Sequence, residues 1–218
     1  MYNKKKLSRV KLSKKYISKK NKSRINKFRG GSNNKTKTKN ITINNSKKES
    51  LTIFYPDVVI SDNINLTNKN YQKQPDVIIN NADKNKIYLI TMTDPDAPNG
   101  EGNSNNFVYT HWVYTQSKEN NMVYVPYLSP SPPKGTHRYQ FNLYDITNKI
   151  SNKNNNNNNN ASKRNKITEN DLSGLRISKE ELQLPDARKN YNSKLLSFLQ
   201  LNYKHLFRIQ YKVSSNNE

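Results

Sequence analysis

The most informative part of the sequence reads IYLITM at residues 87–92, followed at once by TDPDAP at residues 93–98. The first segment is a continuous apolar run, which predicts a central strand buried on both faces. The two prolines of the second segment fix the backbone on each side of Asp96, and a proline cannot donate to a strand ladder. The sequence therefore predicts a stiff turn that ends the strand and holds the carboxylates of Asp94 and Asp96.

Further strand-like segments lie on both sides of this run. In Leu51–Tyr55 every second residue is apolar, as in a half-buried strand. The other segments of this type are Val58–Ile60, Val77–Ile79, Phe107–Thr115, Met122–Leu128, Tyr139–Ile146 and His205–Val213. Strands at this density, separated by turn residues, predict a mainly β (α+β) fold with a sandwich or barrel core.

The region after residue 170 differs in texture. Ser178 and Glu181 have the spacing of a capping box, a signature of helix N-termini. From Asp186 onward, the apolar residues of 195–201 suit a helix of roughly four turns. The C-terminal part is therefore predicted to add a helix and then a last strand to the β-rich core.

Basic charge is concentrated near the N-terminus. The formal net charge is +22, and residues 1–50 carry 18 Lys and Arg against one acid, Glu49, a net charge of +17. So charged a segment with so few apolar residues cannot offset the entropy lost on ordering. We therefore predict a disordered basic tail over residues 1–49 and a folded domain over residues 50–214. Within the domain, the polar, Asn-rich residues 147–170 are predicted to form a disordered loop.

Composition excludes several classes of protein. The chain has no cysteine, which rules out disulfides and thiolate metal sites. No apolar run approaches the ~20 residues needed to span a bilayer, and the charged N-terminus lacks the apolar core of a secretory signal. We expect a soluble, cytoplasmic monomer, with the nucleus as the alternative compartment because of the basic tail.

A second motif, PSPPKGTHRY, lies at residues 130–139. It reads as a rigid proline loop, a glycine hinge, and then His137 and Tyr139 two residues apart on one strand face. His111 lies between the two motifs in a strand-like run. Imidazole and phenol groups can donate hydrogen bonds to phosphoryl oxygens, and a nearby carboxylate such as Asp94 raises the pKa of a histidine, which keeps it cationic.

The two motifs resemble those of the phosphatidylethanolamine-binding proteins, the family of the Raf kinase inhibitor protein and the plant flowering-time proteins. The family's Asp-Pro-Asp-Ala-Pro signature stands at residues 94–98, and Pro-Pro-x-Gly followed by His-Arg-Tyr stands within residues 132–139. The resemblance covers about Leu51–Ile146 and, more weakly, Asn190–Val213. It implies a large antiparallel β-sheet, a smaller second sheet, a C-terminal helix and a shallow cavity for phosphate or phosphoethanolamine head groups.

The resemblance also implies which residues form the site. The ligand-binding residues would be Asp94, His111, His137 and Tyr139, walled by Tyr109, Pro132 and Pro133. The structural residues of the motifs would be Pro95, Asp96, Pro98, Gly135 and Arg138. One departure from the family pattern is the loop between Gly135 and His137, which has a single residue where some members have more.

Several of these residues carry their own expectations. Asp94 could accept a hydrogen bond from the ammonium group of ethanolamine. Arg138 is expected to pair with a nearby acid, Asp96 being one candidate, and Trp112 is expected in the core. The Ala97–Pro98 peptide bond is expected to be cis, mainly because of the resemblance. His205 is expected to be structural.

Three classes of function fit these observations. The first is a non-catalytic binding or regulatory protein without cofactor or metal, which modulates a kinase or protease. It would have a phosphorylated or phospholipid head-group ligand and a protein partner that the sequence does not identify. The second is a nucleic-acid or anionic-membrane binder that acts through residues 1–48. The third and least favoured is a hydrolytic or metal-using enzyme, since the sequence has neither a local metal-ligand spacing nor a recognised nucleophile elbow.

The tail prediction leads to a simple test. Deleting residues 1–48 should change the melting temperature by no more than about two degrees, because a solvated segment contributes few native contacts. Calorimetry of the full chain and of the truncated chain measures the difference. A large loss of stability would mean that the tail belongs to the folded core.

Overall fold

The computed structural model describes residues 48–67, 69–151, 163–200 and 203–215. Residues 1–47 of the predicted tail and 152–162 of the predicted loop lie outside these ranges. The described strands are β1 (Ser50–Tyr55), β2 (Val58–Val59), β3 (Ile64–Asn65), β4 (Asp76–Asn80), β5 (Tyr88–Ala97), β6 (Phe107–Gln116), β7 (Asn121–Val125), β8 (Thr136–Asp145), β9 (Asn148–Ser151), β10 (Lys163–Lys166) and β11 (Lys204–Ser214). The described helices are α1 (Glu169–Ser173), α2 (Ala187–Leu199) and 3-10 turns at Lys69–Gln72 and Glu181–Gln183.

Most of the described strands belong to one large sheet. Its six strands run in the order β3-β11-β8-β5-β6-β7, and all neighbours are antiparallel except the short β3, which is parallel to β11. A smaller sheet has the order β2-β1-β4, and β9 pairs with β10. The predicted mainly β fold, with a large sheet, a smaller sheet and a C-terminal helix, is confirmed. Residues 88–92 of the apolar run lie in β5, which has neighbouring strands on both sides, as predicted.

Each face of the large sheet covers its own core. On one face, Ile53 and Ile79 of the smaller sheet pack with residues of β5 and β8 such as Met92 and Phe141. On the other face, Leu89 and Val113 pack with residues of α1, α2 and the segments that flank them. Alternation along β8 explains this division, because every second residue from His137 to Leu143 is fully buried on the small-sheet side. The large sheet is therefore the middle layer of the domain.

The helix α2 follows Pro185 and Asp186, close to its predicted start. Its buried residues Tyr191, Leu195 and Phe198 have the spacing of one helical face, and the Tyr191 hydroxyl donates to the carbonyl of Leu175.

No helix in the described part of the chain is long and apolar enough to cross a membrane.

The prediction of a disordered loop at 147–170 is wrong at both of its ends. Residues Asn148–Ser151 and Lys163–Lys166 pair as antiparallel strands. The helix α1 then begins at a capping box, in which the Thr168 hydroxyl accepts from the amide of Asp171 and the Asp171 carboxylate accepts from the amide of Thr168. Polar residues can form strands and caps without an apolar pattern, so composition alone misjudged these positions. The other capping box, Ser178 with Glu181, is present as predicted but leads into a single 3-10 turn.

Neighbouring leucines of α2 give a matched test of this packing. Leu195 is 3% exposed and lies in the core under the sheet, whereas Leu196 is 50% exposed. Leu195→Ala should lower the free energy of unfolding by about 2–5 kcal/mol, because it removes buried methyl groups and leaves a cavity. Leu196→Ala should change it by less than about 0.5 kcal/mol. Urea denaturation of both variants measures this, and equal losses would contradict the burial of this helix face.

Candidate functional site

A β-bulge in β6 places His111. Met92 of β5 pairs with Trp112, but the next residue, Thr93, pairs with Thr110, so His111 is an additional residue between them. Trp112 faces the small-sheet core, and the ring of His111 lies 5.1 Å from that of Tyr139, which belongs to the same core. Two successive residues therefore face the same side of the sheet, which only a bulge allows.

A second irregularity shapes the motif at residues 94–98. Asp94 pairs with Tyr109, whereas Ala97 pairs with Phe107, so β5 has one residue more than β6 between these pairs. The prediction that the prolines end the strand is wrong, because β5 runs through Pro95 to Ala97. The bulge accommodates Pro95, which has no amide to give to a ladder. The peptide bond between Ala97 and Pro98 is cis, as predicted.

Asp94 and His137 form a buried pair at the centre of the site. The Nδ1 atom of His137 donates to Oδ2 of Asp94 at 2.7 Å, and its Nε2 atom donates to the carbonyl of Lys134 at 3.0 Å. Because both partners are acceptors, the hydrogen-bond network assigns a proton to each ring nitrogen. Burial opposes the charge, but the hydrogen bond and the negative charge of Asp94 outweigh it, so the pKa of His137 is raised.

The pKa of the second histidine, His111, is shifted in the opposite direction. His111 donates from Nδ1 to the carbonyl of Leu128 at 2.9 Å, and burial lowers its pKa to about 4. The expectation that a nearby carboxylate keeps a histidine cationic therefore does not hold for His111. Asp94 raises the pKa of His111 only weakly, and desolvation dominates. The site thus holds one cationic imidazole and one neutral one.

Two aromatic residues complete the group. The Tyr139 hydroxyl is buried and has no hydrogen bond of ordinary geometry in the described part of the chain, although the amide of Ser131 is close enough to lower its pKa. Burial outweighs that contact and raises the pKa of Tyr139, so the phenol is neutral. Tyr109 is half-buried, with its ring 5.2 Å from that of His111. A buried phenol without a partner is an available hydrogen-bond donor.

Asp96 and Arg138 form the predicted ion pair. Asp96 accepts three hydrogen bonds from Arg138, one from its backbone amide at 2.8 Å and two from its guanidinium at 2.7 and 2.8 Å. Burial would raise the pKa of Asp96, but these contacts outweigh it and lower the pKa. Asp96 is also structural in a second way, since its carbonyl accepts from the amide of Gly100.

Two glycines let the motif loops touch. Gly135, the predicted hinge, has a φ of +69°, and Gly100 has a φ of +92°. A Cβ atom on Gly100 would meet the carbonyl oxygen of Lys134 at 3.2 Å. The same carbonyl accepts from His137, so the close approach of the loops fixes a partner of the buried imidazole.

A cavity of about 80 Å³ lies next to Tyr139, because the amide of its lining residue Ser131 approaches the Tyr139 hydroxyl. Its lining residues are Tyr71, Gln72, Pro130, Ser131, Pro132, Ser214 and Ser215. Pro132 is its one lining residue among those predicted, and Pro133 is exposed. The expected shallow cavity with the histidines in its wall differs from this arrangement. Asp94 is 3% exposed, His111 5%, and His137 and Tyr139 0%, so these side chains lie beneath the surface.

The family model described as phosphatidylethanolamine-binding protein matches residues 52–178, more than half of the chain. The chain belongs to the phosphatidylethanolamine-binding protein family. Protein MOTHER of FT and TFL1 homolog 2 of Oryza sativa subsp. japonica is 32% identical over 103 residues, which cover 44% of this chain and 57% of that protein. The chain thus spans little more than half the length of this curated relative.

Solved structures of other proteins share the fold. The carboxypeptidase Y inhibitor, solved in complex with its cognate proteinase, has a TM-score of 0.53 and 16% identity, over 78% of this chain and 84% of that chain. The phosphatidylethanolamine-binding protein from Plasmodium vivax has a TM-score of 0.53 and 19% identity, over 77% and 86%. Both family motifs lie on the scaffold as described above, at the ends of β5 and β8.

Sequence reasoning missed one residue that holds the family site together. Arg188 of α2 donates to the carbonyls of Thr110 and His111 at 3.1 and 3.0 Å and to that of Pro126 at 3.1 Å. These bonds satisfy carbonyl groups at the β6 bulge, where the ladder is interrupted. Nothing in the pattern around Arg188 marks it, because its partners are backbone atoms distant in sequence.

The remaining predicted residues have structural surroundings. Trp112 is buried in the core, as predicted, and its ring is stacked on that of Tyr114, with 4.2 Å between the ring centroids. His205 lies at the opposite end of β11 from the site, with its Nε2 atom 3.3 Å from Oδ1 of Asn142. No group of three or more potential metal ligands occurs among the described residues.

The lowered pKa of His111 predicts a specific loss of stability in acid. The unfolded chain takes up this proton near the ordinary pKa of 6.5, whereas the folded chain takes it up near 4. Stability from the neutral ring is therefore complete above the unfolded pKa and is lost as the pH falls toward the folded pKa, by up to about 1.4 kcal/mol per pH unit.

The variant His111→Gln, which cannot be protonated but keeps a donor for Leu128, should lack this part of the slope. Urea denaturation of both proteins between pH 6.5 and about 4 measures the difference in slope. Parallel curves over that range would mean that His111 is protonated in the folded protein like an exposed histidine.

Proposed function

We propose that this protein is a non-catalytic binding protein that holds a phosphoryl group at the Asp94–His137 pair and Tyr139. The observation that carries this proposal is a buried histidine whose two ring nitrogens both face acceptors, beside a buried phenol whose hydroxyl donates to no group in the described part of the chain. A cation and a free hydroxyl donor are the groups that a phosphoryl oxygen needs, and charge-assisted hydrogen bonds to such oxygens are strong. Asp94 keeps the ring protonated and oriented, so the positive charge is in place before the ligand arrives.

The ligand would replace a backbone group. The Nε2 atom of His137 donates to the carbonyl of Lys134 at 3.0 Å. Gly135, next in the chain, is in the left-handed region and can absorb a change of backbone direction. A small shift of this loop would release Nε2 to a phosphoryl oxygen. Binding is expected to be weak, because the site must open and lose its internal bonds.

Several features support a binding role over catalysis. Both oxygens of Asp94 are already engaged, by His137 and by the amide of Asp96, and Asp96 is held by Arg138. A carboxylate in such bonds is a poor acceptor for a substrate proton. Members of this family are generally non-catalytic regulators.

A protein partner is part of the proposal. The carboxypeptidase Y inhibitor, which shares this fold, is known in complex with a proteinase. We propose that this protein likewise modulates a protein partner, a protease or a kinase, with the phosphoryl site as a ligand-responsive part of its surface. The identity of the partner does not follow from a likeness of fold.

The tail supports a second candidate function. A net charge of +17 over residues 1–50 would attract polyanions such as nucleic acid or an anionic membrane, with affinity that falls as salt is added. This function would be separable from the site. Removing residues 1–48 should leave binding at His137 unchanged and should remove most affinity for DNA or anionic vesicles at low salt.

The central test compares a substitution of a histidine in the site with a substitution of a histidine outside it. In NMR titrations with phosphoethanolamine, His137→Ala should abolish the chemical-shift changes around Gly135 and Tyr139, because the cation is lost. His205→Ala, the matched control at the other end of β11, should leave them unchanged. In the unaltered chain, the affinity should fall as the pH rises through the raised pKa of His137, since the neutral ring carries no charge.

Two results would contradict the proposal. One is a titration in which His137→Ala and the unaltered chain respond equally. The other is binding that does not depend on pH on the alkaline side of the ordinary histidine pKa. The spectrum of His137→Ala without ligand shows whether that variant keeps the fold.

A further inference from the structure

We propose that the cavity beside Tyr139 receives a neutral, hydroxyl-bearing group of the ligand, so that the site prefers a polyol phosphate to phosphoethanolamine. This inference rests on the proposed function, because the phosphoryl group would lie at His137 and Tyr139. It adds the chemical class of the remainder of the ligand.

The cavity is lined by uncharged groups. None of its lining residues is charged: Tyr71, Ser131, Ser214 and Ser215 carry hydroxyls, Gln72 carries an amide, and the other two are prolines. A hydroxyl both donates and accepts, so such a lining can satisfy another hydroxyl in either sense. The volume of about 80 Å³ is several times the roughly 10–15 Å³ that one water molecule needs. A small group of a few heavy atoms therefore fits.

Backbone contacts of two lining residues connect the cavity with the phosphoryl site. Ser131 lines the cavity and presents its amide to the Tyr139 hydroxyl. Ser215 lines it from the other side, and its amide donates to the carbonyl of Gly135 at 2.9 Å. A ligand with its phosphoryl group at Tyr139 would thus direct its next atoms along Ser131 and toward Ser215.

An ammonium group would meet acids that already have cationic partners. Asp94 pairs with His137, Asp96 with Arg138, and Glu101, just after the first motif, with Lys212 at 2.6 Å. The expectation that Asp94 accepts from the ammonium of ethanolamine therefore meets a carboxylate whose two oxygens are occupied. Moving an ammonium out of water without a carboxylate partner is unfavourable, whereas a hydroxyl group meets matching hydroxyls.

Three probes test the inference on the full-length protein. Inorganic phosphate reports on the phosphoryl site alone, phosphoethanolamine adds an ammonium, and glycerol 3-phosphate adds two hydroxyls. In NMR titrations followed at Gly135 and Tyr139, glycerol 3-phosphate should bind about three- to tenfold more tightly than inorganic phosphate, the gain from one net hydrogen bond. Phosphoethanolamine should bind no more tightly than inorganic phosphate.

Variants connect this preference to the cavity. The double variant Ser131→Ala and Ser215→Ala should lower the affinity for glycerol 3-phosphate to that for inorganic phosphate, and should leave the affinity for inorganic phosphate unchanged. Ser197→Ala on α2, which packs against the opposite face of the large sheet, is the matched control and should change neither affinity.

The outcomes separate this inference from the proposed function. Equal binding of the three probes, or tighter binding of phosphoethanolamine, would overturn the inference and leave the phosphoryl site standing. A preference for glycerol 3-phosphate that survives the double serine variant would also overturn it, because the cavity would not be its source. Failure of all three probes, inorganic phosphate included, would overturn the proposed function together with the inference.

Discussion

The hydrogen bond of 2.7 Å between Asp94 and His137 is the interaction on which the rest of the site depends. Both side chains are buried, and a buried charge is tolerated only when it is paired and its remaining hydrogen bonds are satisfied. The surrounding structure meets these conditions. The bulge of β5 brings the amide of Asp96 to Asp94, and the loop before β8 brings the carbonyl of Lys134 to His137.

The pair also explains why two histidines of one site differ in charge. His137 has a carboxylate and a carbonyl as partners, and its raised pKa follows from them. His111 has a carbonyl partner on one nitrogen and lies in a more apolar environment beside Tyr109 and Tyr139, so its pKa falls to about 4. A fixed cation next to a neutral ring and a neutral phenol suits recognition of an anion, which needs charge and donors in fixed places.

The sequence contains enough information to predict the layers but not the irregularities that build the site. Alternation along β8 predicts that His137 and Tyr139 share a face, and the apolar run at 87–92 predicts the buried strand β5. The bulge at His111 leaves no such mark, because its register is set by hydrogen bonds to another strand and by Arg188 on a distant helix. The hairpin of β9 and β10 is missed for a related reason, since its polar residues pair through backbone atoms.

The protonation state of His137 tests the central claim most directly. NMR of the ¹⁵N-labelled imidazole reports the proton on each ring nitrogen as the pH is varied. The buried pair predicts that both nitrogens remain protonated as the pH rises past the ordinary histidine value of 6.5, and that Asp94→Asn shifts this titration to lower pH. A ring that is already neutral at pH 6.5, or a titration that Asp94→Asn does not move, would contradict a buried imidazolium held by Asp94.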